Sequence, residues 1–475
     1  MRAATQQPPL LSPLTQEDLG ALQIHLPALR IVSYRGPGVG GGVSASLGPL
    51  TRQLGTKVQW IACSGVPDVS DQQMPGFSFF SPEIPQAVKD SHLAALYDYL
   101  WPLMHGLPER ARFDHEAWMS FRKLSQLLAH QSLSISARSF PTLIWLHDFE
   151  TALVAPLLAH EAGIIVSQFW HAPWPQPEVI TDSPVGKELV LALLSNRLLG
   201  FHTLEYANNF LATVQAIFPD AVIDTEKAEV HVQGLTTRIV SMPLGLDFPY
   251  WQRLSKSSRG ESEALIVKHR LAQQIVLGVD RLDYTKGVLE KINALEKFLE
   301  LNPEWHRRFH YVQLAQPALA KTASFEEYRQ QVISRVNEVN QRFQADMWQP
   351  IIWIEGQVPH AELAAWYQAA DVVAVTPIRD GLNLIAKEFV ACRLDEQGVL
   401  VLGKQAGSAA ELMSGAVLVD SLDAQDVAEG IMAALTMGVE EKRRRMLSMR
   451  HVTGWNRLHD WACGFLRQAI ATPHS

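Results

Sequence analysis

Apolar residues in this 475-residue chain fall in short continuous runs separated by longer amphipathic stretches. In the first half the runs are "LRIVSY", "KVQWIAC", "TLIWLHD", "GIIVSQFWH" and "LLGFHT". In the second half they are "QIVLGVD", "HYVQLA", "IIWIEG", "DVVAVTP", "GVLVLG" and "GAVLVDS". Val, Ile and Leu occupy both alternating faces of each run, the pattern of a strand covered by helices on both sides. Between the runs, "VLEKINALEKFLELNPEW" and "FEEYRQQVISRVNEVNQRF" carry apolar residues at helical spacing. Strand and helix in alternation predict parallel, doubly wound α/β sheets. The alternation breaks at 240–250, where "VSMPLGLDFPYW" holds two prolines, a glycine and no helical period. A chain of this length exceeds what one core organises, so two Rossmann-like domains are expected, residues 1–245 and 246–455. The stretch 456–475 reads as an amphipathic helix crossing back to the first domain. A ligand would sit at the C-terminal strand ends, in the crevice between the domains.

Composition narrows the partners. Apolar residues make up 47% and charged residues 19%, which is a folded protein and neither a disordered nor a fibrous one. The net charge of −8 is spread along the chain, with no basic run longer than "KRRRM", so no nucleic-acid partner is expected. "EEKRRR" reads as a solvated helix face with i,i+4 pairs. Cys63, Cys392 and Cys463 are far apart without CxxC spacing, which points to a reducing compartment and to neither disulfides nor a zinc framework. "MRAATQQPPLLSPLTQEDLG" lacks the apolar core of a secretory signal. No window reaches the roughly 18 apolar residues of a membrane span. The expectation is a cytoplasmic protein without membrane contact; a homo-oligomer is possible, since nothing in the pattern bears on assembly.

Candidate chemistry gathers at strand ends. "YRGPGVGGGVSASLGPL" places glycines between a strand and a helix start, where main-chain N–H groups can approach an anion. Its spacing is neither GxGxxG with an acidic partner nor GxxxxGK[ST], and a flexible turn would read the same way. "WLHDFE" puts His147 and Asp148 at one strand end, and "FWHAPWPQPE" puts His171 at another. Single histidines are more often structural, but neighbouring parallel strands would aim both segments into one crevice. "TPIRDGLNLIAKEFVAC" sets Arg379, Asp380, Asn383, Lys387 and Glu388 around a strand-to-helix turn that suits a phosphate, with carboxylates for ribose or sugar hydroxyls. For Glu388 a plain salt bridge is the alternative. "VDRLDYTKGV" brings Asp280, Arg281, Asp283 and Lys286 to a buried strand end, a poor place for charge unless something pairs with it. No two aspartates are separated by a single residue, so there is no DxD pair to hold a metal on a nucleotide diphosphate. Leaving-group charge would then fall to side-chain cations, Arg281 and Lys286.

Taken together, "GVDRLDYTKG", "WLHDFE", "FWHAPWP", "LLGFHTLEYANNFL" and "TPIRDGLNLIAKEFVAC" resemble the trehalose-6-phosphate synthase family of retaining glycosyltransferases, in order and spacing from about residue 30 to 465. The resemblance implies a GT-B fold and glucosyl transfer from a nucleotide sugar to a phosphorylated acceptor, without metal or cofactor. By position it implies that Arg281 and Lys286 hold the donor diphosphate. Asp380 and the amides of Leu382, Asn383 and Leu384 would hold the transferred sugar and phosphates, and Glu388 the ribose. His171 and Asp148 would line the sugar pocket, with Gly41 and Gly42 closing over the phosphates.

The acceptor side departs from the trehalose pattern of Arg, Tyr, Trp and a second Arg. Arg35 and Trp101 match, but His92 stands at the Tyr position. "QLAQPALAKTASFEEY" lacks the second Arg and offers Lys321 as the nearest cation, a point charge where a bidentate fork is expected. The glucosylglycerol-phosphate synthases of the same family also lack that Arg. The acceptor expected is therefore glycerol 3-phosphate, with glucose 6-phosphate close behind. The nucleotide stays open among ADP, UDP and GDP, with ADP-glucose paired to the first reading. A sugar-phosphate-binding regulator without turnover is the reading from another class, disfavoured by the complete donor set. A phosphorylase-like enzyme would need a pyridoxal-phosphate lysine context that is not found.

Overall fold

The computed structural model describes residues 28–37, 42–54, 58–64, 77–135, 141–272 and 274–471. Its strands in the first half are β1 (Ala28–Arg35), β2 (Val58–Ser64), β3 (Phe77–Phe80), β4 (Thr142–His147), β5 (Ile164–Phe169), β6 (Leu198–Phe201), β7 (Val222–Asp224), β8 (Glu229–Val232) and β9 (Leu235–Ser241). They form one sheet in the order β3-β2-β1-β4-β5-β6-β9-β8-β7. The row from β3 to β9 is parallel, and β8 and β7 are added antiparallel. The second sheet is parallel throughout, in the order β12-β11-β10-β13-β14-β15. Its strands are β10 (Gln274–Arg281), β11 (Phe309–Gln316), β12 (Ile351–Glu355), β13 (Val372–Val375), β14 (Val399–Gly403) and β15 (Val417–Val419).

Every apolar run named from the sequence is a strand. The central ones are buried on both faces, as their unbroken Val/Ile/Leu composition requires. Four strands have no such run. β3 is a four-residue edge, and β7 to β9 form a half-exposed antiparallel extension in which polar residues such as Glu229, His231, Thr236 and Arg238 interrupt the apolar ones.

The parallel row of each sheet reverses its strand order once, between β1 and β4 in the first and between β10 and β13 in the second. Beyond the C-terminal ends of such strands a crevice opens, because successive helices leave in opposite directions. Pairing of Val32 with Leu146 brings Arg35 and Asp148 out of the first sheet at the same end. Between Gln86 and Met104 the chain is helical, with a wider π winding over Ala94–Leu100, and Trp101 follows it directly.

The chain passes between the domains twice, and the passages are bonded to each other. Leu246 N–H donates to Asn456 O at 3.3 Å, and Leu458 N–H donates to Leu246 O at 3.1 Å. The helix Leu458–Ala471 then lies on the first sheet, where Trp461 and Phe465 each place a ring centroid 5.3 Å from that of Trp145. No described helix is long and apolar enough to cross a membrane.

Candidate active site

The two crevices face each other across a cleft of about 960 Å³ lined from both domains. On the second-domain wall, "VDRLDYTKG" divides its four charges between structure and cleft. Asp280 is consumed internally: Lys291 Nζ lies 2.7 Å from its Oδ2, and Gln313 donates to the same oxygen at 3.0 Å. Asp283 accepts from Thr285 N–H at 3.0 Å and Thr285 Oγ1 at 2.9 Å, which folds the turn after the strand. Gly287 then starts the next helix at φ +64°, and an added Cβ would lie 2.4 Å from Thr376 O, so only glycine fits. Arg281 and Lys286 are left lining the cleft beside Trp101, each 5.9 Å from its ring centre. Trp101 is itself held by Nε1 donating to Asp283 Oδ1 at 3.3 Å.

Lys286 Nζ lies 2.6 Å from Asp380 Oδ2, and Asn383 Nδ2 donates to that oxygen at 3.1 Å. Burial opposes ionisation of Asp380, but Lys286, with His105 and Arg281 behind it, outweighs burial and the carboxyl is held below its usual range. Asn383 has φ +75° and caps the helix Leu384–Cys392, so the N–H groups of its first turn open toward the cleft. Gly381 packs directly on the other domain, where an added Cβ would lie 1.9 Å from His171 O. Glu388 is deep in the same wall and accepts from Tyr367 Oη at 2.9 Å; burial pushes its pKa up to about 7 against that bond.

On the first-domain wall, Gly42 opens the helix Gly42–Leu54, and an added Cβ there would meet only Leu384 Cδ1 at 3.7 Å. Gly41 lies outside the described residues. Asp148 has φ +65° and its Oδ1 accepts the N–H groups of His171 at 3.1 Å and Ala172 at 3.0 Å. Burial pushes its pKa up to about 6 even so. His171 contacts His147 and His202 through its two ring nitrogens, and burial drives its pKa down to about 3.

Arg35 marks the far end of the cleft. One nitrogen, Nη2, donates to Tyr97 Oη at 3.2 Å and to the main-chain oxygen of Leu319 from the other domain at 2.6 Å. Tyr97 Oη donates in turn to Glu150 Oε1 at 3.2 Å. Burial, and then the neighbouring Asp148, push the pKa of Glu150 up to about 8.

The structure thus brings Arg35, Gly42, Trp101, Asp148, His171, Arg281, Lys286, Asp380, Leu382, Asn383, Leu384 and Glu388 to one cleft. Two residues expected at its acceptor end are elsewhere. His92 is buried behind Tyr34, whose hydroxyl is 2.8 Å from His92 Nε2, and it is Tyr34 that lines the cleft. Lys321 is exposed and is not part of the lining; Leu319 takes the place at the wall.

The lining residues missed include His202 of "LLGFHT" and three more. Glu150 stands in the quoted "WLHDFE" two places after Asp148. His105 closes "YLWPLMH", four places after Trp101, where burial and then Lys286 push its pKa down to about 4. Tyr34 directly precedes Arg35. Tyr97, four residues before Trp101 on the same helical face, was missed as the side chain that Arg35 binds. Its signal was that spacing. Among the described residues no three His, Cys, Asp or Glu side chains are grouped to hold a metal ion.

The family model for glycosyltransferase family 20 matches residues 42–470. An alpha,alpha-trehalose-phosphate synthase (UDP-forming) of Candida albicans is 32% identical over 417 residues, 85% of this chain and 86% of that protein. A bifunctional trehalose-6-phosphate synthase/phosphatase of Thermoproteus tenax is 31% identical over 434 residues; the match spans 88% of this chain and 58% of that longer protein. Among solved structures, a Burkholderia xenovorans alpha,alpha-trehalose-phosphate synthase (UDP-forming) in complex with glucose-6-phosphate superposes with a TM-score of 0.87 at 28% identity, over 93% of this chain and 100% of that one. Sheet order, cleft and sequence agree: the chain has the GT-B fold, belongs to glycosyltransferase family 20 and is a retaining hexosyltransferase.

Proposed function

We propose that the chain transfers glucose from UDP-glucose to a hydroxyl of glucose 6-phosphate, forming a trehalose phosphate with retained configuration. The observation that carries this is the pair of opposed walls: cations and helix amides for a diphosphate on one, and Arg35 with hydroxyl-bearing partners for a phosphorylated sugar on the other. The relatives' names supply the nucleotide and the acceptor. In the proposed step the bond from C1 to the diphosphate breaks and an acceptor hydroxyl bonds to C1 from the same face. Its proton passes to the departing phosphate oxygen. Arg281 and Lys286 meet the charge that grows there, so no metal is required.

The glycerol 3-phosphate reading survives on one feature: among the described residues, no second guanidinium stands beside Arg35 on the lining of that end. A smaller acceptor asks less of the site, because each unpaired polar group in a closed pocket costs about 1–3 kcal/mol. The deciding experiment sets UDP-, ADP- and GDP-glucose against glucose 6-phosphate and glycerol 3-phosphate, with released nucleotide as readout. The highest kcat/KM is expected for UDP-glucose with glucose 6-phosphate, unaffected by EDTA. A higher value for glycerol 3-phosphate would move the chain to the glucosylglycerol-phosphate branch. Nucleotide binding without turnover on any pair would make it a regulator.

A further inference from the structure

Three histidines stand in a row along the first-domain wall. His147 ends β4, His171 follows β5 and His202 follows β6, so the parallel order of these strands sets them side by side. His147 Nδ1 is 3.1 Å from His171 Nε2, and His171 Nδ1 is 3.2 Å from His202 Nε2. His202 Nδ1 faces the main-chain N–H of Leu244 at 3.3 Å. All three rings line the cleft and are buried.

The last contact fixes the direction of the whole row. An amide N–H only donates, so His202 Nδ1 must offer a lone pair, and the neutral ring carries its proton on Nε2. That N–H meets His171 Nδ1, which must accept, so His171 is also protonated on Nε2. The same step makes His147 an Nε2–H ring, and its Nε2 is buried without a partner at the end of the row. Moving the proton of any one ring to its other nitrogen, or adding a second proton, would set two like groups face to face. Burial drives the pKa of all three rings down, and neighbouring cationic forms add to it for His147 and His202. The charged groups facing the row are Asp148, bonded to the main-chain N–H of His171, and Lys387, close to His202. Arg281 faces Asp148 from the second domain.

We propose that His202 and His147 are positioning residues that hold His171 as a neutral Nε2–H ring with both nitrogens engaged in the row, so the hexose pocket meets a ring fixed in orientation and no imidazolium. The anchor is shared with the other domain: Leu244 O accepts from Lys387 Nζ at 2.9 Å, and Lys387 precedes Glu388 on the Leu384–Cys392 helix. Gly381 presses on the carbonyl of His171 from the same side. The position of the second domain is therefore sensed by the residue that sets the row. The assignment of His171 to the hexose rests on the glucosyl-transfer reading; the tautomer does not.

The test is a two-bond proton–nitrogen correlation spectrum of the full chain labelled with ¹⁵N-histidine, with His171 assigned by loss of its signals in His171→Gln. His171 is expected as Nε2–H with unprotonated Nδ1 at every pH from about 5.5 to 8.5. A wild-type His171 found as Nδ1–H, or as imidazolium in that range, overturns the proposal whatever the turnover assays give. Absence of transfer with a correct tautomer would instead fault the functional reading.

Two variants separate positioning from folding. His202→Asn keeps an oxygen for Leu244 but is too short to reach His171; mixed tautomers and a fall in kcat of at least about 10-fold are expected, with acceptor KM unchanged. His202→Gln returns an amide N–H to the Nε2 position and should restore the tautomer and most of kcat. Wild-type spectra and kcat in His202→Asn would overturn the proposal, as would a Gln variant no better than Asn.

Discussion

At the donor wall Lys286 lies 2.6 Å from Asp380, Asn383 bonds the same oxygen, and Tyr367 covers Glu388, so these motif charges already have close partners, while Arg281 lies 3.7 Å from Asp283. At the Arg35 end the guanidinium meets a tyrosine hydroxyl and a carbonyl, while two carboxyls, Asp148 and the buried Glu150, crowd each other with raised pKa values. The first wall is a pre-formed electrostatic site, built on one sheet's strand ends and one helix. The second is assembled from both domains and carries unbalanced acid. The difference teaches where specificity is free to change: contacts to a diphosphate are fixed by the reaction, whereas the acceptor end can be re-lined without touching them.

Removing Lys286 breaks the comparison most severely. Lys286→Ala should lower kcat/KM by at least about 100-fold, or about 2.7 kcal/mol of barrier. It should also lower the melting temperature, because Asp380 is left buried without its cation, a loss of about 3–5 kcal/mol in comparable pairs. A lysine merely facing water would cost activity without stability; here the residue is only 7% exposed. Arg281→Ala is expected to lose about 100-fold in kcat/KM with an unchanged melting temperature, since its nearest carboxylate is 3.7 Å away and its side chain is 21% exposed. Turnover near wild type in either variant would remove that residue from the donor site.

Both Rossmann-like sheets and the donor wall were legible because their determinants are local. A buried parallel strand writes itself as a Val/Ile/Leu run, and the charges that follow it must be adjacent in sequence to emerge at the same strand end. Arg281, Lys286, Asp380 and Glu388 were found in this way. The acceptor end was less legible because its neighbours are distant: Arg35 meets Leu319 O, and Tyr97 meets Glu150, across 284 and 53 residues. Position by position, His92 stood where a lining residue was expected, yet the turn of its helix aims it at Tyr34. Of the histidine row, His147 and His171 were legible as neighbouring strand ends aimed into one crevice, whereas His202, on a third strand, was not.

Glu150 sharpens the acceptor side through pH. Its ordinary pKa is 4.5 and the folded value is about 8, so between these limits the folded protein keeps a proton that the unfolded chain has lost. Stability contributed by this group therefore falls as pH rises through that window. Glu150→Gln should gain stability over wild type progressively from about pH 5 to pH 8, read as the difference in melting temperature. A difference that is constant with pH would mean that the carboxyl ionises normally and that the acceptor end is not acid-loaded.

The smallest effect expected is at Glu388. Tyr367 Oη donates to its carboxylate and favours the ionised form, while burial holds the pKa near neutrality, at about 7. Removing that hydroxyl must raise the pKa further, so less of the carboxylate is available at pH 7 to accept from a ribose hydroxyl. A neutral-to-charged hydrogen bond of this kind is worth about 1.5 kcal/mol, so Tyr367→Phe should raise the donor KM by up to about 10-fold at pH 7 with kcat and acceptor KM unchanged. The sign with pH follows: as pH rises past the shifted value the carboxylate reforms, and the variant's donor KM should converge on wild type by about pH 9. A donor KM that stays raised at high pH would mean that Tyr367 supports the site by packing and not by ionising Glu388. An unchanged donor KM at all pH values would take Glu388 out of the nucleotide contacts and leave the donor wall resting on Arg281, Lys286 and the helix amides alone.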